Sequence, residues 1–257
     1  GFCEGVCVAE GFTLSPRQRV TIHREIERLN QTGEEPHRAA EIKSLYKYSG
    51  LATCATDSLC AMKCPVKIDT GKLVKELRHE SHSERGEKIA ASISANMGRV
   101  TAGMRVGLSA LYYVRLVTGK RLFGAVAGSL RFISGGVVPL WNEHFPNGAS
   151  AISEKQIEKQ NRGASGSALK VVYFPSCITR SMGISKDYKS SMEMTQVTKT
   201  LLQRAGYEII YPEKMNTLCC GMAFSSKGFV KAGKSASDKL EAALMKASDG
   251  GKIPVLC

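Results

Sequence analysis

Between Cys54 and Pro65 the chain reads Cys-Ala-Thr-Asp-Ser-Leu-Cys-Ala-Met-Lys-Cys-Pro, and this stretch constrains the fold more than any other. The spacing C-x2-C-x2-C-x3-C-P is one of iron–sulfur ligation, because turns at those intervals aim successive thiolates at one cluster while the last cysteine reaches a second. Cys54, Cys60 and Cys64 fill the first, third and fourth places, and Asp57 stands in the second. A carboxylate there is either a hard oxygen ligand to one iron or no ligand at all, so the spacing allows a labile or three-iron cluster beside a full 4Fe-4S one. The plain alternative is a turn holding three buried or free cysteines.

Cys3 and Cys7 repeat the x3 spacing and read as the last two cysteines of a second such motif, with Val8 where proline usually stands. Ser15-Pro16 then reads as a helix start, serine as N-cap and proline at the first helical position. Ile22, Ile26 and Leu29 share one face, Gly33 and Pro36 break the helix, and Ile42, Leu45 and Tyr46 predict another before Gly50. A helical insert between Cys7 and Cys54 points to an all-helical ferredoxin-like module over 1–80. After it, Asp69 or Thr70 caps a helix carrying Leu73, Val74 and Leu77.

Residues 81–165 read as a connecting segment, helical from Ile89 to Phe132 with a break at Gly119-Lys120, and the Gly124/Gly128 pair reads as helix packing. A Gly/Ser-rich linker spans 161–167. From 166 to 257 the pattern becomes strand, helix, strand, helix, strand, with apolar strands at 169–174, 207–211 and 252–256. That is a small α/β domain with a largely parallel sheet, in which ligands gather beyond the carboxyl ends of the strands. Cys177, Cys219, Cys220 and Cys257 all fall at or beyond those ends. They suit a second cluster, a tetrahedral zinc site, a vicinal redox couple at Cys219-Cys220, or buried thiols.

The fold class is therefore α+β multidomain, and both ends, Gly1-Phe2-Cys3 and Val255-Leu256-Cys257, read as cut inside motifs. Nine cysteines in a chain this long, with no leader pattern, fit a reducing, cytoplasmic compartment better than a secreted disulfide framework. The formal charge is +13, from 36 Lys and Arg against 23 Asp and Glu. The basic residues are spread and no nucleic-acid motif accompanies them, so the expectation is no nucleic acid but contact with protein partners or the inner face of a membrane. Arginines and lysines interrupt every apolar run long enough to span a bilayer. His23, His37, His79, His82 and His144 read as surface or core histidines.

Gly1-Phe2-Cys3-Glu4, Leu14 to Arg19, the Cys54–Pro65 motif, Ile68 to Leu73 and Pro139-Leu140-Trp141-Asn142 together resemble the C-terminal part of FAD-linked D-lactate dehydrogenases. Cys177, Cys219-Cys220-Gly221 and Cys257 are similar to the cysteine-rich CCG domain shared with the iron–sulfur subunit of glycolate oxidase and with heterodisulfide reductase. The resemblance implies electron relay from FAD, held in an upstream flavin domain of the same polypeptide, to a quinone or cytochrome acceptor. It also implies a terminal C-x-x-C of which Cys257 is the first member, and no catalytic acid or base in these residues. By the fourth-cysteine rule Cys7, Cys54 and Cys60 serve one cluster with Asp57 as candidate fourth ligand, and Cys3 and Cys64 the other. A separate iron–sulfur subunit and a zinc-stabilised interaction protein are the rival readings.

Overall fold

The computed structural model describes residues 1–257 apart from 143, 164–168, 187 and 189–191. The chain divides into two compact units, residues 1–91 with 221–234, and residues 92–220 with 235–257. This partition runs across the three segments read from the sequence, since 221–234 joins the helical unit and the connecting segment joins the sheet.

The helical unit opens with α1 (Pro16–Thr32), whose start is a reciprocal cap: Ser15 N–H donates to Gln18 Oε1 at 2.8 Å and Gln18 N–H to Ser15 Oγ at 3.4 Å. Gly33 closes the helix in the left-handed region, its N–H bonded to the Leu29 carbonyl. Helix α2 (Pro36–Tyr46) runs into a π-helical stretch, Lys47–Ala52. Tyr46 is buried there while Leu45 stays exposed; adjacent helical residues point about 100° apart, so the two cannot share the buried face. The short helix α3 (Leu59–Lys63) precedes α4 (Thr70–Glu80), capped by Asp69, which accepts from Lys72 N–H at 3.0 Å. Val74 is its buried anchor. Helix α5 (Glu84–Ala95) follows.

In the second unit, α6 (Met97–Thr118) and α7 (Lys120–Ile133) touch each other and join at Gly119, where the sequence predicts a break. Gly128 has open space where a Cβ would stand and Gly124 meets only the Trp141 ring at 4.0 Å, so this glycine pair makes no close helix approach. The chain continues with α8 (Glu154–Gly163), β1 (Leu169–Tyr173), α9 (Cys177–Ser181), α10 (Met194–Arg204), β2 (Tyr207–Ile210), α11 (Met222–Ser225), which belongs to the helical unit, α12 (Val230–Ala247), which begins in that unit, and β3 (Val255–Leu256). All three strands are parallel, in the order β2-β1-β3, with Val171 opposite Ile209 and Val172 opposite Val255. Strand β3 is shorter than the sequence suggests, because Gly250 and Gly251 turn the chain at positive φ and Pro254 offers only its carbonyl, to Val172 N–H at 2.9 Å.

Val171, Tyr173, Ile209, Tyr211, Met215 and Leu240 form the buried core of this unit. Strand order reverses between β1 and β3, so the crevice at their carboxyl ends is the topological switch point where α/β folds place ligands.

The segment 221–234 packs within the helical unit. Arg78 donates to the Ser226 carbonyl, His79 and His82 meet the Gly228 and Lys227 carbonyls at 3.1 and 2.7 Å, and His82 stacks on Phe229 at 4.0 Å. Those two histidines are structural fasteners.

Candidate metal centres

In the helical unit the thiols collect around two arginines. Arg19 lies on the inner face of α1 and is 1% exposed. Its guanidinium donates to the Gly50 carbonyl at 2.9 Å, Thr53 Oγ1 at 3.1 Å, Thr13 Oγ1 at 3.4 Å and the Cys7 sulfur at 3.7 Å. Arg78, from α4, donates to the Leu51 carbonyl and to the Cys54 carbonyl at 2.9 Å. Burial pushes the Cys54 thiol pKa up, the Thr56 N–H and both guanidinium groups pull it down, and neighbouring Cys60 raises it. Cys7 and Cys54 thus share the surroundings of Arg19, and Cys60 neighbours Cys54. Cys3 and Cys64 line a separate cavity of about 380 Å³ with Arg17 and Arg24.

Asp57 is exposed and accepts the Leu59 N–H at 3.1 Å, a local turn bond that does not point to an inward-facing ligand. Next to it, the Thr56 hydroxyl is buried and has no hydrogen-bond partner among the described residues, on a residue at φ 56. Sequence reasoning passed over this threonine, since a hydroxyl between two cysteines has no spacing signature.

At the sheet edge the four remaining cysteines come from three chain segments. Cys177 opens α9 just past β1, Cys219 and Cys220 follow the turn beyond β2, and Cys257 directly follows β3. The Cys219 thiol hydrogen-bonds Cys177 and holds its pKa down to about 6, against burial and together with Arg180 and the Ile178 N–H. Cys257, raised by burial, also lies in the electrostatic neighbourhood of Cys220. Arg180, 4% exposed, is the pillar of this edge. It donates to the carbonyls of Pro175 at 3.0 Å, Leu218 at 2.6 Å and Met215, and its face lies 5.1 Å from the centre of the Phe174 ring. Burial pulls its own pKa down while Cys177, Cys219 and Cys220 hold it up. Gly221 completes the Cys-Cys-Gly run at φ 78, and a Cβ there would overlap the Gly233 carbonyl, so only glycine fits.

Residues 171–252 match the cysteine-rich domain family CCG. This domain is found in iron–sulfur subunits of lactate dehydrogenase and heterodisulfide reductase-like proteins, and the match supports a redox, iron–sulfur role for these residues. The match covers the sheet, Cys177 and the Cys219-Cys220-Gly221 run, and ends before Cys257. No curated protein and no solved structure matches the chain.

None of the nine cysteines is joined in a disulfide among the described residues. Among the described residues no three His, Cys, Asp or Glu side chains are placed closely enough to hold a metal ion as they stand. The donor chemistry nevertheless fits a thiolate-held cluster at both places. No carboxylate pairs with Arg19, Arg78 or Arg180 among the described residues; their hydrogen bonds go to carbonyls, hydroxyls and one thiol. A buried cation without an anion costs several kcal/mol, about 3–5 where one partner of a pair is removed, and a thiolate-ligated group carries the missing negative charge. The unpartnered Thr56 hydroxyl offers that group a hydrogen bond.

Proposed function

We propose that the chain is the iron–sulfur electron-transfer portion of a flavin-dependent 2-hydroxy acid dehydrogenase acting on D-lactate or a similar acid. Its FAD belongs to a flavin domain upstream in the same polypeptide, and its acceptor is a quinone or a cytochrome. The observation that carries the reading is the placing of Cys7 and Cys54 beside Arg19, and of Cys177, Cys219 and Cys220 beside Arg180, two buried arginines with no carboxylate partner among the described residues. The CCG match supports the same chemistry for 171–252.

Cys7, Cys54 and Cys60 would hold one cluster, with Asp57 as candidate fourth ligand; Cys3 and Cys64 would serve a second, and Cys177, Cys219, Cys220 and Cys257 a third metal group. When bound, such clusters supply one-electron transfer and no proton chemistry. The chain's own residues set the conditions for it. Arg19 donates to the Cys7 sulfur, Arg78 fixes the backbone of Cys54, and Arg180 holds the loops that carry Cys177 and Cys219 at one edge. Fixed cationic donors beside sulfur favour the reduced, more negative state and so raise the potential. Burial of Cys60 and Cys219 keeps water from those two sulfurs and limits their oxidation.

The test is anaerobic addition of D-lactate to the whole polypeptide, followed by low-temperature electron paramagnetic resonance. Reduced iron–sulfur signals appearing within the time of flavin reduction support the reading. Flavin reduction with silent clusters contradicts the relay, and a start codon just upstream of Gly1 would favour the separate subunit.

A further inference from the structure

Helices α6 and α7 turn apolar side chains to the outside. On α7, Leu122, Val126, Leu130 and Ile133 recur at helical spacing and form one stripe, all exposed, with Ile133 at 79% and neighbouring Phe132 at 89%. On α6, Val106, Tyr113 and Val117 form a second exposed stripe, Val117 at 88%. Not one residue of α7 is buried. An amphipathic helix normally lays its apolar face on its own core, and here that face is left uncovered.

The charge around these stripes has one sign. From Met97 to Asn142 the sequence carries Arg99, Arg105, Arg115, Lys120, Arg121 and Arg131 and no Asp or Glu at all. The sole tryptophan, Trp141, and the pair Tyr112-Tyr113 lie in the same stretch, and such amphipathic rings favour the headgroup level of a bilayer. No helix among the described residues is long and apolar enough to cross a membrane, and α7, at 14 residues, is about 21 Å long, short of the ~30 Å hydrocarbon core.

We infer that α6 and α7 form a docking face for an anionic lipid bilayer. The apolar stripes enter the headgroup boundary, and the exposed cations Arg99, Lys120 and Arg121 attract the negative leaflet, whereas Arg115 is buried. An acid-free flank matches that occupant in sign over its whole length, which sets a lipid surface ahead of a second copy of this chain, whose own net charge is +13. The inference stands independently of the cluster assignment, because it uses none of the cysteines.

The test is co-sedimentation of the intact chain with vesicles of phosphatidylglycerol or of phosphatidylcholine. Binding to the anionic vesicles should be roughly ten-fold tighter or more, and should be lost at about 1 M salt, where the screening length falls to about 3 Å. Arg121→Gln should weaken it about five-fold, and Leu130→Ser with Ile133→Ser on the order of ten-fold or more. These side chains are exposed, so thermal midpoints should stay put and a folding defect is separable. Equal binding to both vesicle types, or variants that bind as the parent does, would overturn the inference. So would a dimer in solution that Ile133→Ser dissociates while no vesicle is bound.

Discussion

The two thiol regions are assembled by opposite means. In the helical unit, Cys54, Cys60 and Cys64 lie within one short stretch and Cys3 and Cys7 within another, so local turns do most of the gathering. At the sheet edge, Cys177, Cys219 and Cys257 are far apart in sequence, and parallel strand pairing brings their segments together. Each arrangement then needs a clamp of a different kind. The helical site has two arginines, of which Arg19 also satisfies two hydroxyls and a sulfur while Arg78 bonds backbone carbonyls; the sheet edge relies on Arg180, which holds three carbonyls at once. A site made by spacing tolerates change in its surroundings, whereas a site made by topology depends on whatever keeps the loops at the strand ends.

The sharpest way to break this comparison is Arg180→Met. Three buried carbonyls lose their donor, which should cost roughly 3–5 kcal/mol, read by urea unfolding followed through Trp141, which lies in the same unit. Arg19→Met should cost less, about 2–3 kcal/mol, because Thr13 and Thr53 still bond each other at 2.7 Å. Equal costs would erase the distinction between one pillar and a shared clamp. Next in size is Gly221→Ala, at roughly 2–4 kcal/mol from left-handed strain and overlap with the Gly233 carbonyl. Gly50→Ala, whose Cβ would overlap the Tyr46 ring, should cost about 1–3 kcal/mol. Circular dichroism melts of the two variants check that order.

A smaller effect should treat the two units alike. Each has a buried tyrosine, Tyr46 in one and Tyr211 in the other, whose phenol pKa burial pushes up to about 12. The neutral phenol is favoured in the folded state, so this stability is complete below the unfolded value of about 10 and is lost as pH rises from there through 12. The loss should reach roughly 2–3 kcal/mol per tyrosine, and Tyr46→Phe and Tyr211→Phe should each flatten the alkaline limb of a stability–pH curve. The smallest expected change is Asp57→Asn, within about 0.5 kcal/mol, because the amide oxygen can still accept the Leu59 N–H. Iron content unchanged in that variant would make Asp57 a turn residue, while a fall would make it a ligand.

The contrast also explains what the sequence made visible. The caps at Ser15 and Asp69, the helix stops at Gly33 and Gly119, and the three strands follow from local chemistry and could be read directly. The parallel alternation of strands and helices brings the cysteine segments to one edge, and the same pattern announces it. Arg19, Arg78 and Arg180 were not legible as clamps, because in a chain with 36 basic residues a guanidinium gives no sign of being buried. Leu45 and the exposed α7 stripe show the converse. Apolar periodicity predicts a helix face, but only tertiary packing decides whether that face is covered. The placement of 221–234 in the helical unit depends on Arg78 and on Gly228, where a Cβ would collide with Arg78 and His79, a long-range match that no local pattern encodes.

The central claim is that both thiol regions exist to hold iron–sulfur groups against buried arginine. The most direct measurement is iron, zinc and acid-labile sulfide per chain in intact protein prepared without oxygen, compared with its Cys54→Ser and Cys177→Ser variants. The account predicts iron and sulfide in near-equal amounts, no stoichiometric zinc, and a separate partial loss in each variant. Zinc without sulfide, or a metal content that neither substitution changes, would contradict it.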